Sequence, residues 1–227
     1  MKKKIVFIMN PISGTSSKAA VPSLIDSTLD KEQFQYEIKM TERPGHASEL
    51  AAEARDNHAD IVVAVGGDGT VNEVARSLVH SDSALGILPC GSGNGLARHL
   101  LLPMNLKKSI EIINACKIHD LDYGVINEYP FFCTCGMGFD AFVSMKFAES
   151  GKRGPISYAE NILREGLKYE PETYTLEDET GTKQYKAFLI SCANASQYGN
   201  NAYIAPQASM SDGLMDVVIM EPFDVIE

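Results

Sequence analysis

The stretch IVVAVGGDGTVNEV, Ile61 to Val74, decides how the chain is read. Its first five residues are apolar and mostly β-branched, the composition of a strand buried on both faces. GGDGT, Gly66–Thr70, then sets three glycines around one aspartate, and Val71–Val79 continues with helical spacing. A buried strand that passes through glycines into a helix offers backbone N–H groups and the positive end of the helix dipole to a phosphate. A bare phosphate site would not want a carboxylate. Asp68 amid those donors fits a divalent cation that bridges phosphate and carboxylate charge; in a plain tight turn it would only cap the helix.

Working outward, KIVFIM at residues 4–9 predicts a strand, NPISG at Asn10–Gly14 a loop, and the residues up to about Leu29 a helix. Gln35–Met40 alternates as a strand, and Gly45–Asn57 is alanine-rich with helical spacing. Beyond the glycine loop come a strand at Ala84–Leu88, the loop PCGSGNG at Pro89–Gly95 and a helix at Leu96–Leu101. This alternation implies an open, mostly parallel sheet with helices on both faces, and ligands bind such sheets beyond the carboxyl ends of the strands. All three glycine loops fall at that edge. In the first, Asn10 can bond across the loop, Ser13 offers a hydroxyl and Gly14 exposes backbone N–H. Lys18 is misplaced for a Walker A loop, and the GxGxG of residues 91–95 is not in the first βα turn where a dinucleotide fingerprint belongs.

From about Asp120 the pattern changes. Leu121–Val125, Tyr129–Cys135, Tyr174–Glu177, Lys186–Ala193 and Met215–Met220 read as strands, with one helix at Ile156–Lys168. The chain therefore divides near residue 122 into an α/β domain, 1–122, and a mainly antiparallel β-sandwich, 123–227. Thirty acidic against twenty basic residues give a net charge of -10, which argues against a nucleic-acid partner. No apolar run approaches a membrane span and no signal-peptide core follows Met1, so a cytoplasmic protein is expected. The five cysteines show no zinc spacing and are expected to be reduced and mostly buried, with Cys133 and Cys135 on one strand face. Arg98 and His99 read as a solvated helix face, and the Phe131, Phe132, Met137, Phe139, Phe142, Met145 and Phe147 cluster as core rather than an acyl pocket.

Together the three loops resemble those of the diacylglycerol kinase catalytic-domain family, which includes sphingosine kinases and bacterial lipid kinases. That family has NPxSG, GGDGTxNEV and PxGTxND-like loops in this order. The likeness continues through CGMGFDA at Cys135–Ala141 and SDGLMDV at Ser211–Val217. The resemblance implies a phosphofructokinase- or NAD kinase-like first domain, a β-sandwich lipid-substrate domain, and transfer of the ATP γ-phosphoryl to a lipid hydroxyl in the cleft between them. By position it implies nucleotide contacts at Asn10, Pro11, Ser13, Gly14, Thr41, Gly66, Gly67, Asp68, Gly69, Thr70, Val71, Asn72, Glu73, Gly91 and Ser92, with Asp68 organising Mg·ATP as the catalytic residue. It further implies a structural Mg2+ at Asp212, with carbonyls near Ser209 and Leu214. The lipid would be met by a peripheral protein at the membrane surface, and homo-oligomers are possible through exposed strand edges.

Two departures from the family stand out. The third loop has Ser92 and Asn94-Gly95 where Thr and Asn-Asp are usual, which puts in doubt how that loop is braced. The family also continues for roughly 60 to 80 residues with a DGE-like motif that supplies the favoured general base, so chain 1–227 is expected to be impaired as a kinase. NAD kinase is a rival, because it shares a GGDGT loop and domain plan. Its Asn-Glu pair, however, lies well downstream, whereas Asn72-Glu73 follow the loop directly here. A non-catalytic nucleotide- or lipid-binding module remains the other alternative.

Overall fold

The computed structural model describes residues 2–14, 18–142, 145 and 169–223. Strands β1 (Lys3–Met9), β2 (Phe34–Met40), β3 (Ile61–Gly66) and β4 (Ala84–Pro89) form a sheet of order β2-β1-β3-β4, parallel at every pairing. Parallel neighbours require crossovers, supplied here by α1 (Val21–Thr28), α2 (His46–Asp56) and α3 (Asp68–Leu78); α4 (Gly95–His99) and α5 (Leu106–Ala115) follow β4. Side chains alternate along β1. Val6 and Ile8 pack with Ala47, Ala51 and Ala54 of α2 and Val71, Val74 and Leu78 of α3. Ile5, Phe7 and Met9 pack with Val21 and Ile25 of α1 and Ile110 and Ile113 of α5 on the other face. Burial on both faces is why the central strands β1 and β3 read as apolar runs, whereas the edge strand β2 alternates.

The second half is mainly antiparallel. β5 (Gly124–Ile126) and β6 (Tyr129–Phe131) form a ribbon whose turn residues, Asn127 and Glu128, have φ of 46° and 71°, as a two-residue hairpin of twisted strands demands. β7 (Thr134–Gly138), β10 (Leu189–Ala193) and β11 (Asp216–Met220) make a sheet of order β11-β10-β7, and β8 (Glu172–Asp178) pairs with β9 (Gly181–Ala187). Phe132, Cys133, Ala195 and Met210 join the α2–α3 core cluster, so the two halves share apolar packing.

Several boundaries differ from the sequence reading for identifiable reasons. Gly67 is extended, at φ −96° and ψ −171°, and α3 starts at Asp68, three residues before the apolar spacing would begin it. The helix after the third loop stops at His99 rather than Leu101, which takes a left-handed φ of 56°. The strand expected at Leu121–Val125 is displaced to Gly124–Ile126, and Tyr129–Cys135 breaks into β6 and β7 at Phe132 and Cys133. The run Lys186–Ala193 is interrupted at Phe188, whose N–H donates to the Met220 carbonyl at 2.7 Å while its carbonyl accepts Phe139 N–H at 2.9 Å. The aromatic and Met cluster is mixed: Phe131 and Phe139 are buried, whereas Met137 and Met145 are exposed. The helix expected at Ile156–Lys168 and Phe147 lie outside the described residues. Among the described residues no helix is long and apolar enough to cross a membrane.

Leu88 is fully buried in the edge strand β4, packed on the α1–α5 side. Leu88→Ala is expected to destabilise the chain by about 2–5 kcal/mol, read as a lower urea midpoint with little change in slope.

Candidate active site at the carboxyl edge of the sheet

The carboxyl ends of β1, β3 and β4 bring the three glycine loops together. Asn10 N–H donates to Val65 O at 3.1 Å, Cys90 N–H to Gly66 O at 2.7 Å, and Thr41 N–H to Met9 O at 2.9 Å. Asn10 ties the first two loops together: its amide donates to Thr70 Oγ1 at 3.3 Å, and its Oδ1 accepts Ile12 N–H at 3.1 Å. Ser13 Oγ donates to Asn10 O at 3.2 Å, and the Lys18 ammonium, buried under the loop, donates to Ser13 O. Lys18 is therefore an internal support of the NPISG turn, a role that its sequence position does not advertise.

The glycines are there because backbones meet. A methyl carbon on Gly91 would sit 2.3 Å from Gly67 Cα, and one on Gly14, at φ +67°, would sit 2.2 Å from Cys90 O. Both contacts are with main chain, which cannot swing aside. Gly69 differs: a side chain there would meet nothing within 4 Å. It lies in the first turn of α3, where backbone N–H groups have no intrahelical carbonyl to bond. Open space over a helix N-terminus, with exposed Asp68 and Ser92 and half-buried Ser13 beside it, suits a phosphate together with a hard cation.

Asp68 is exposed as a residue, yet protein surrounds its carboxyl group. Burial pushes its pKa up, against the lowering effect of backbone N–H groups at Gly95, Asn94 and Leu96. Burial also pushes the neighbouring Cys133 thiol up to about 12, with the Asp68 charge a second cause. The five cysteines are free and half-buried rather than mostly buried, and Cys133 lies in the bend before β7 rather than in the strand with Cys135.

The third loop is braced by the second half of the chain. Asn94 closes the loop on itself, accepting Gly91 N–H and donating to Gly91 O, each at 2.9 Å. It also bridges to Gly199, and Asn200 N–H donates to Gly93 O at 3.2 Å. Arg98 and His99 are not a solvated face. Arg98 Nε donates to Gly93 O at 3.1 Å; His99 Nδ1 accepts Ser196 N–H at 3.1 Å and lies 3.0 Å from Ser196 Oγ, with burial lowering its pKa. Segment 196–200 thus belongs to the site, although no local motif in the sequence points to it.

Other expected residues are placed differently. Thr70 and Val71 are buried, and the Thr70 hydroxyl is engaged by Asn10. Glu73 accepts Gly45 N–H and Ala47 N–H, both at 3.1 Å, and so caps α2. In the turn carrying Ser209, Asp212 and Leu214, Asp212 Oδ1 accepts Leu214 N–H at 3.0 Å, and Gly213 N–H donates to Asp122 Oδ2 at 2.8 Å. This turn borders a cavity of about 390 Å³ also lined by Asn194, whose buried Oδ1 has no partner among the described residues. Oxygen ligands such as the Asp212 carboxylate are what a hard cation takes. No group of three or more His, Cys, Asp or Glu among the described residues forms a metal cluster.

A carboxyl whose pKa is higher folded than unfolded binds its proton more tightly in the folded chain. Stability then falls as pH rises from the ordinary carboxylate range through the raised value, and the loss is complete above it. Asp68→Asn keeps an acceptor and removes the charge. It is expected to raise the urea midpoint at neutral pH, with the gain vanishing in acid; a lower midpoint at neutral pH would contradict this account of Asp68.

Comparison with known proteins bears on both halves. The diacylglycerol kinase catalytic domain matches residues 4–126, and the YegS C-terminal NAD kinase beta sandwich-like domain matches 133–226. The "Probable lipid kinase YegS" of Escherichia fergusonii is 28% identical over 205 residues, covering 87% of this chain and 69% of that protein. The diacylglycerol kinase of Staphylococcus saprophyticus is 27% identical over 238 residues, covering 100% of this chain and 76% of its own length. A solved structure of a diacylglycerol kinase from Bacillus anthracis shares the fold at a TM-score of 0.74 and 20% identity, over 96% of this chain and 76% of that one. With its three glycine loops converging on one sheet edge and more than half its length matched by the catalytic domain, the chain belongs to the diacylglycerol kinase catalytic-domain family.

Proposed function

We propose that this chain binds Mg·ATP at the carboxyl edge of the β2-β1-β3-β4 sheet and directs its γ-phosphoryl group to the hydroxyl of a diacylglycerol-like or sphingoid-like lipid. The observation that carries the reading is the exposed Asp68 at the start of α3, beside the open face of Gly69. Phosphoryl transfer needs positioning and charge neutralisation more than covalent help from the protein, and these loops provide both.

In this reading the backbones of Gly14, Gly67, Gly69 and Gly91 approach the phosphates, and Ser13 and Ser92 offer hydroxyls. Asp68 holds the metal side, kept in place by the N–H groups of residues 94–96. Magnesium, when bound, would neutralise the phosphate oxygens. Asn10 and Thr70 lock the first loop to the second, while Pro11 and Thr41 border the same edge; Gly66, Val71 and Asn72 shape it from the β3–α3 side. Glu73 acts one layer out, fixing the start of α2. Ser209, Asp212 and Leu214 would hold a second, structural magnesium in the other half of the chain.

A lipid hydroxyl is reached at a membrane surface, so a peripheral protein is part of this reading. The NAD kinase alternative loses support, because the one Asn-Glu pair downstream, Asn127-Glu128, forms the tight turn of the β5–β6 ribbon.

Calorimetry with and without Mg2+ tests the nucleotide half. ATP should bind in a Mg-dependent way, Asp68→Ala should weaken it by at least about tenfold, and NAD should not compete; each contact to a charged group is worth about 1.5–3 kcal/mol. Displacement by NAD, or no ATP binding at all, would sink the proposal.

A further inference from the structure

The nucleotide reading leaves one half-buried acid, Asp140, without a task. Asp140 lies two residues past the end of β7, where the chain turns helical at 139–142, within the CGMGFDA stretch. Its Oδ2 accepts the Tyr198 hydroxyl at 3.2 Å, and its Oδ1 accepts Ala141 N–H at 2.7 Å. A methyl carbon on Gly136 would lie 2.4 Å from Asp140 Oδ2, so β7 leaves room for the carboxyl group by carrying no side chain there.

Tyr198 connects this acid to Asp68. A methyl carbon on Gly93 would lie 3.0 Å from Asp68 Oδ2 and 3.6 Å from Tyr198 O, and one on Gly95 would lie 3.0 Å from Tyr198 O. The tyrosine main chain thus rests on the third loop beside Asp68, and its hydroxyl reaches Asp140. The two carboxyl groups stand at opposite ends of one tyrosine, Asp68 on the α/β half and Asp140 on the antiparallel half.

We propose that Asp140, oriented by Tyr198, receives the acceptor hydroxyl of the lipid and is a specificity-determining residue of the transfer reaction; this rests on the kinase reading above. A carboxylate has about four acceptor positions; Ala141 N–H, the Tyr198 hydroxyl and the residue's own N–H occupy three, which leaves one for a hydroxyl donor. It repels phosphate, which keeps this end of the cleft for the alcohol. Burial raises its pKa against the pull of Ala141 N–H and the Tyr198 hydroxyl, although a carboxylate in the first turn of a helix would ordinarily be stabilised by the helix dipole. A polar group held in such surroundings without its ligand discriminates strongly between an alcohol and an analogue lacking the hydroxyl.

The test compares 1,2-dioctanoylglycerol with its 3-O-methyl ether, titrated by calorimetry below micellar concentration into the full chain, with Mg·ATP affinity measured alongside. The chain should prefer the free alcohol by about tenfold or more. Asp140→Asn should abolish that preference without changing Mg·ATP affinity, and Tyr198→Phe should reduce it. Failure of the unaltered chain to favour the alcohol, or full preference in Asp140→Asn, overturns the proposal. If Asp140→Asn does not fold, unchanged preference in Tyr198→Phe overturns it. Loss of Mg·ATP binding by the unaltered chain would instead strike the kinase reading on which the proposal rests.

Discussion

The contact between Gly67 and Gly91 is main chain against main chain, and the rest of the site depends on it. No side chain at either position could move away, because what it would strike is an α-carbon. The β3–α3 and β4–α4 loops are therefore pressed together at a distance only two glycines permit, and Gly14 brings the first loop against Cys90 in the same manner. Glycine costs backbone entropy of about 0.5–1 kcal/mol per residue relative to alanine. Three such residues at one sheet edge are a standing cost to folding, offset by the buried apolar layers on both faces of the sheet. A glycine motif of this kind is thus explained first by loop-to-loop packing. Among the described glycines of these three loops, Gly69 is the one whose surroundings are open.

The parallel sheet was legible in the sequence because double burial writes itself as apolar runs, as at Ile61–Val65, and because β1, β3 and β4 each run into a glycine loop. The antiparallel half was legible in kind but not in register. Phe188 and the Phe132–Cys133 bend break apparent strands, since long-range partners such as Met220 and Phe139 claim the backbone there, and those partners are distant in sequence. The start of α3 was misplaced for a related reason: apolar spacing marks where a helix becomes buried, whereas an extended Gly67 marks where it begins.

Within the site, motif residues were legible and their supports were not. Asn10, Ser13, Gly14 and Asp68 stand where loop chemistry places them. The residues that hold them, Lys18 under Ser13, Glu73 on α2 and segment 196–200 against the third loop, act through contacts that no local pattern encodes. His99 shows the difficulty. As a helix residue beside an arginine it reads as solvent-facing, but its ring nitrogen is the acceptor for Ser196 N–H across 97 positions of sequence.

The third loop has Gly95 in place of an acidic residue, and the structure indicates what the glycine permits. A side chain at Gly95 would lie 3.0 Å from Gln197 O and Tyr198 O, so the close approach of segment 197–199 requires its absence. That approach lets Asn94 bridge to Gly199 and sets the N–H groups of residues 94–96 toward Asp68. A carboxylate at position 95 would have introduced a second charge beside Asp68, where burial already works against the first. Here the loop is braced by main chain from the other half of the molecule. Segment 197–199 packs on the third loop, and the third loop turns N–H groups toward Asp68, so both halves of the chain contribute to the surroundings of this one carboxyl group.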